Sequence, residues 1–216
     1  MRGIFAGVTP VRTGVLIVLL ASSLTALPAQ AGTNCASDVQ AAVAKQHALA
    51  SYRVEVSSPT KPDGATEVVD YMPPLKMYRR INSPDQGFEI ETIGFGNRAW
   101  SREGGGWYEL KPHIASMVEN HLRDMFGTPP KVTSEFNCLG KVMVEGKEYL
   151  GYQTVPEKVD GGDMIARTIY ADPATGLPAF NIIGEAKGAK PAMVREAYSY
   201  PTDIEIEIPE NAPAAP

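Results

Sequence analysis

From residue 52 onward the apolar residues of this chain recur mainly with a period of two, broken once by a stretch of helical period. Tyr52, Val54 and Val56 alternate with Arg53 and Glu55, which predicts a strand with one dry and one wet face. Further strands are predicted at Thr66 to Met72 and Leu75 to Ile81, separated by Pro73-Pro74, and where Phe88 and Ile90 alternate with Glu89 and Glu91. Asn97 to Arg102 and Trp107 to Leu110 read as a hairpin around Gly104-Gly105-Gly106 that brings Trp100 near Trp107. Later strands are predicted at Val132 to Cys138, Lys141 to Val144, Glu148 to Val155, Met164 to Ala171, Leu177 to Gly184, Met193 to Tyr200 and Ile204 to Ile208. Pro62-Asp63-Gly64, Glu145-Gly146, Asp160 to Gly162 and Asp172 to Gly176 supply turns, and the tail from residue 210 to 216 is predicted to be disordered.

Two helices complete the pattern. One is predicted from Ser37 to about Ala50, with Ser37 and Gln40 as a capping box. The other runs from Pro112 to Phe126 and carries Ile114, Met117, Val118, Leu122 and Met125 on one stripe, stopped by Gly127, Pro129 and Pro130. About eleven strands, two helices and no βαβ alternation predict a mainly β, α+β domain: a large antiparallel sheet that curls, its concave side covered by a helix.

The first thirty-one residues change the compartment. Arg2 and Arg12 form a basic region, Val15 to Leu20 an unbroken apolar stretch, and Ala29-Gln30-Ala31 a small-x-small cleavage site, so a secretory signal peptide cut after Ala31 is predicted. The apolar stretch is well short of the roughly 20 residues that span a bilayer. Gly32-Thr33-Asn34 before Cys35 lacks the Leu-small-small pattern that precedes a lipidated cysteine. Cleavage removes two positive charges and no negative one, so the formal charge moves from −5 to −7. Such a surface repels phosphate backbones, which argues against nucleic-acid binding.

The chain has two cysteines, Cys35 and Cys138, with no CxxC spacing. In an oxidising compartment a structural disulfide between them is predicted, with two buried thiols as the alternative.

Several segments resemble the LolA/LolB-like lipoprotein-carrier superfamily of bacterial envelopes. They are Glu67 to Tyr78 with its Pro73-Pro74, the hairpin Gly96-Asn97-Arg98-Ala99-Trp100 through Trp107, Asp172-Pro173-Ala174-Thr175-Gly176-Leu177-Pro178, and Ile204-Glu205-Ile206-Glu207-Ile208-Pro209. The resemblance implies a periplasmic half-barrel that holds acyl chains, lipoproteins or other apolar molecules between sheet and helices. Close carriers place an arginine where Met72 stands, so their closed-to-open switch does not carry over to this chain.

Candidate chemistry adds little to this. His113 and His121 are eight apart on one helix, a poor spacing for a metal, and His47, His113 and His121 read as solvated helix-surface residues. No GxSxG elbow or phosphate loop occurs, and the carboxylate pairs Glu89/Glu91 and Glu205/Glu207 lie two apart on wet strand faces. No cofactor and no enzymatic activity are expected. The expected lining of an apolar ligand space is Val54, Val56, Leu75, Met77, Phe88, Ile90, Met117, Leu122, Phe136, Phe180 and Ile182. An ordinary packed core is the competing reading of the same positions. Methionines at 77, 117, 125 and 193 favour a cavity, because unbranched side chains adapt to ligands of variable shape. The expected partner is a lipid-like ligand or a lipidated protein, with transient membrane or envelope-protein contact. The protein is expected to be a monomer. An envelope sensor or protein-interaction module on the same fold is the alternative.

Overall fold

The computed structural model describes residues 35–60, 64–126, 131–159, 162–186 and 191–215. The predicted signal peptide, the residues at 62 and 63 of the first predicted turn, the predicted helix stop at 127–130 and most of the turn at 160–162 lie outside the described residues.

Twelve strands form one antiparallel sheet. In chain order these are β1 Tyr52–Ser57, β2 Thr66–Met72, β3 Lys76–Ser83, β4 Phe88–Phe95, β5 Arg98–Arg102, β6 Tyr108–Glu109, β7 Phe136–Val144, β8 Lys147–Thr154, β9 Glu157–Lys158, β10 Met164–Ala171, β11 Pro178–Glu185 and β12 Val194–Ser199. Their order across the sheet is β6-β5-β4-β3-β2-β1-β12-β11-β10-β8-β7, with β9 pairing only to β10. The chain builds one half outward from β1 and returns to place β12 on its other side, so β1 and β12 are central while β6 and β7 are the outermost strands. The sheet curls without closing, as the strand pattern predicts, and forms the half-open barrel that the family resemblance implies.

Turn chemistry sets the register. Glu145 (φ 51°) and Gly146 (φ 82°) form the two-residue link between β7 and β8, and two positive φ values are what a type I′ hairpin requires. The two strands predicted at Val132 to Cys138 and Lys141 to Val144 are instead one, β7, because the register shift between Cys138 and Gly140 absorbs the interruption as a bulge.

Helix α1 (Ala36–His47) lies over the β7, β8 and β10 end, where Val39 packs with Phe136, Tyr152, Ile169 and Ala171. The predicted capping box is absent. Cys35 is the N-cap, without a side-chain cap, and Gln40 Oε1 instead accepts the amide N–H of Val132 at 2.7 Å. Cys35 and Cys138 are disulfide-bonded with Cα atoms 5.7 Å apart, which ties α1 to β7.

Helix α2 (Pro112–Phe126) covers the opposite half. Leu122, wholly buried, packs with Tyr52, Val54, Val69, Tyr71 and Met77. Phe126 sets its ring against those of Tyr71, Tyr52 and His47, so α2 reaches α1 across β1 and β2.

The outer face carries a third cluster. Ile93 and Trp100 pack with Ile206, while Ile204, Ile208, Trp107 and Ala212 close around them. The strictly alternating segment Ile204 to Ile208 is therefore not a strand. It lies extended across the back of the sheet, isoleucines inward and Glu205 and Glu207 in water. The tail after Pro209 runs along the sheet edge: Glu109 N–H donates to Pro213 and Ala215 N–H donates to Glu109, which adds a short parallel bridge at β6.

Candidate functional site

Between the two helices the concave face of the sheet is left uncovered along its middle. A cavity of about 920 Å³ occupies this gap. Its floor is the inward row of side chains from the central strands: Val54 and Val56 of β1, Val69 and Tyr71 of β2, Met77 of β3, Tyr198 of β12 and Ile169 of β10. Val43, Gln46 and His47 of α1 form one wall. Ile114, Met117, Val118, His121 and Met125 of α2 form the other.

Period-two alternation decides which residues reach this space. On β1 and β3 the structure brings Val54, Val56 and Met77 of the expected lining to the cavity. Met117 also lines it and is 66% exposed, a large apolar side chain at the opening. The other predicted lining residues lie elsewhere. Leu122 and Leu75 belong to the packed layer between α2 and the sheet. Phe136 is buried beneath α1. Ile90 and Phe88 share the inward side of β4 with Thr92, but they lie at the start of the strand, away from the lining, and Phe88 is exposed.

On β11 the parity is reversed. Asn181 lines the cavity, while Phe180 points to the other face, edge-on to Tyr149 with the Arg195 guanidinium over its ring. Ile182, two residues on, shares Phe180's face. The cause is that Phe180-Asn181-Ile182-Ile183 has no apolar/polar alternation and its one polar residue faces inward.

The polar groups of the cavity were not legible in the sequence. Glu67 and Glu196 are both cross-strand partners of Val56, one on each side. Arg79 pairs with Glu67 at 2.6 Å. Glu196 Oε2 accepts from Asn181 Nδ2 at 2.7 Å and from the Tyr198 hydroxyl at 2.5 Å. Burial and then the Glu196 charge push the Tyr198 phenol well above its ordinary range, so it stays protonated and able to donate. Tyr52 and Tyr71 are raised in the same direction, chiefly by burial.

Two of the three histidines are not simple surface residues. His47 lines the cavity against the Phe126 ring, and burial holds its pKa below the ordinary value. His121 Nε2 lies 3.2 Å from the Tyr71 hydroxyl. Among the described residues no group of His, Cys, Asp and Glu has the arrangement of a metal site. The described helices include none long and apolar enough to cross a membrane.

No family model and no curated protein matches the chain. Solved structures do. The chain is similar to the lipoprotein LppX of Mycobacterium tuberculosis, with 12% identity over 76% of this chain and 92% of that one and a TM-score of 0.48. It is similar to a protein of the Pseudomonas aeruginosa MucA/MucB complex, with 13% identity over 76% of this chain and 55% of that one and a TM-score of 0.36. A DUF1329 family protein from Desulfovibrio piger ATCC 29098 matches with 9% identity over 80% of this chain and 96% of that one and a TM-score of 0.32. The curled twelve-stranded sheet with helices on its concave side fits the LolA/LolB-like fold that the sequence segments resemble.

Proposed function

We propose that this protein is an extracytoplasmic, non-enzymatic binder or carrier of lipid-like molecules, or of the acyl groups of lipid-modified proteins, held between sheet and helices and released unchanged. The observation that supports this reading is the cavity itself. A domain that simply packed α2 onto its sheet would leave no such space, whereas about 920 Å³ lies at the upper end of the roughly 300–1,000 Å³ typical of ligand pockets. Its walls are mostly aliphatic, thioether and aromatic, and each methylene of an acyl chain buried there would contribute about 0.8 kcal/mol. The Cys35–Cys138 disulfide supports an oxidising location.

Native mass spectrometry of protein purified gently from an envelope fraction tests the reading directly: an adduct of lipid mass that is lost on denaturation is the expected result. Saturable uptake of a neutral environment-sensitive probe, displaced by long-chain amphiphiles, is the expected companion result. A second reading, a protein-interaction module, draws on Leu139 and Met143, which are exposed on the open edge strand β7. Absence of both adduct and uptake would favour it.

A further inference from the structure

Resting on the carrier reading, we infer that Glu196 selects the polar end of the ligand, and that the ligand is an amphiphile whose head donates hydrogen bonds and carries no negative charge, with a primary amine as the strongest case.

A half-buried carboxylate on the floor of an otherwise apolar cavity needs a reason, because removing a charge from water is costly unless it is paired. Its neighbour Glu67 has that pairing in Arg79. Glu196 has no cationic partner among the described residues. Its two internal donors, Asn181 and Tyr198, converge on one oxygen, Oε2, and leave Oε1 without a partner among the described residues.

The bonding direction around this carboxylate is fixed. An ionised carboxylate only accepts, so Asn181 must turn its NH₂ toward Glu196, and Tyr198 has a single hydroxyl hydrogen, already given. Asn181 is 8% exposed, and its Oδ1 has no hydrogen-bond partner among the described residues. The polar spot thus offers one reachable unused acceptor, Glu196 Oε1, and a negative charge, while Asn181 Oδ1 is buried behind it. A ligand hydroxyl or ammonium completes it with a charge-assisted hydrogen bond, whereas a fatty-acid carboxylate placed there meets like charge in a poorly solvated space.

The charge of Glu196 reaches across the floor. It contributes to holding the phenols of Tyr52, Tyr71 and Tyr198 protonated. Arg167 also lines the cavity, but it is exposed, so water and salt screen its attraction for an anionic head. It is the residue to which a preference for anions would point.

The test is competition against a neutral naphthylamine probe by three twelve-carbon amphiphiles, dodecylamine, dodecanol and dodecanoate, each below its micelle concentration. Wild-type protein is expected to bind dodecylamine at least about tenfold more tightly than dodecanoate, a ratio within reach of one charge-assisted hydrogen bond, with dodecanol between. Glu196→Gln keeps the shape and an acceptor for Asn181 and Tyr198. It should bring amine and carboxylate within about threefold while the melting temperature shows that the fold is kept. Tyr198→Phe, which removes a donor but not the charge, should retain the amine preference. Probe binding with equal or stronger competition by dodecanoate overturns the inference and leaves the carrier reading standing. So does an amine preference that Glu196→Gln does not change. No saturable probe binding by wild type defeats the carrier reading itself and the inference with it.

Discussion

Gly94 of β4 lies directly beneath Val118 of α2: a β-carbon built at position 94 would come within 2.6 Å of Val118 Cγ1 and 3.5 Å of Leu122 Cδ1. The close seating of α2 on the sheet therefore depends on a missing side chain, and one wall of the cavity depends on that seating. Gly94→Ala is expected to cost about 1–3 kcal/mol by overpacking, read as a lowered urea midpoint. Val118→Ala removes the clashing methyl, so the double variant should recover part of the loss. Additive losses would show that the helix seat is not where the strain arises.

The disulfide joins residues 103 positions apart, and in the chain-entropy picture so long a loop is worth about 4–5 kcal/mol. Unreduced protein unfolded in denaturant is expected to show no titratable thiol. Cys35→Ser/Cys138→Ser protein should unfold at a clearly lower denaturant concentration. Two free thiols per chain in oxidised material would refute the bridge. Because the link anchors α1, the same variant should also bind the neutral probe less tightly, through the wall formed by Val43, Gln46 and His47.

The legibility of this fold depended on whether local period and tertiary role coincide. For β1, Tyr52, Val54 and Val56 have one wet and one dry side, so alternation named two cavity residues. For β11 both sides are covered: Phe180 packs outward on Tyr149 while Asn181 faces inward, and no period marks the difference. Ile204 to Ile208 shows the converse, since an extended chain lying on a surface has period two without any ladder bond. Glu196 was hidden for a related reason. In β12 charged residues occupy both faces, with Arg195 over Phe180 on one side and Glu196 in the cavity on the other, and only the cross-strand pairing with Val56 separates them.

Met117 and Leu122 lie on one helical stripe but should respond oppositely to substitution. Met117 is mostly exposed at the cavity opening, so Met117→Asp should leave the melting temperature nearly unchanged while weakening uptake of an apolar probe. Leu122 is wholly buried, so Leu122→Ala should cost about 2–5 kcal/mol. Asn120→Gln, on the exposed side of the same helix, is the control for both. If Met117→Asp destabilises the protein as much as Leu122→Ala does, α2 is packed throughout and the opening is absent.

Acid sensitivity should trace to Glu91 on the outer face. Its carboxylate accepts from Arg102 Nε at 2.6 Å and from a second guanidinium nitrogen at 2.8 Å, and Tyr78 donates a further short hydrogen bond. Arg102 above all, opposed by burial and aided by Tyr78, holds the Glu91 carboxyl below its ordinary range, while Tyr78 is pushed up to about 12, chiefly by burial. A carboxyl whose folded pKa is depressed adds stability that is complete above its unfolded value, about 4.3, and is lost as pH falls through the folded value. Glu91→Gln is therefore expected to destabilise the protein by about 1–2 kcal/mol at pH 7, at the modest end for a charged pair because Arg102 is partly in water. The gap between wild type and variant in urea midpoint should stay constant from pH 8 to about 6. It should then narrow as pH drops below about 4.3, because protonation converts the wild-type carboxylate into the neutral acceptor that glutamine already is. A gap that persists undiminished at pH 3 would mean that shape, not charge, is what Glu91 contributes.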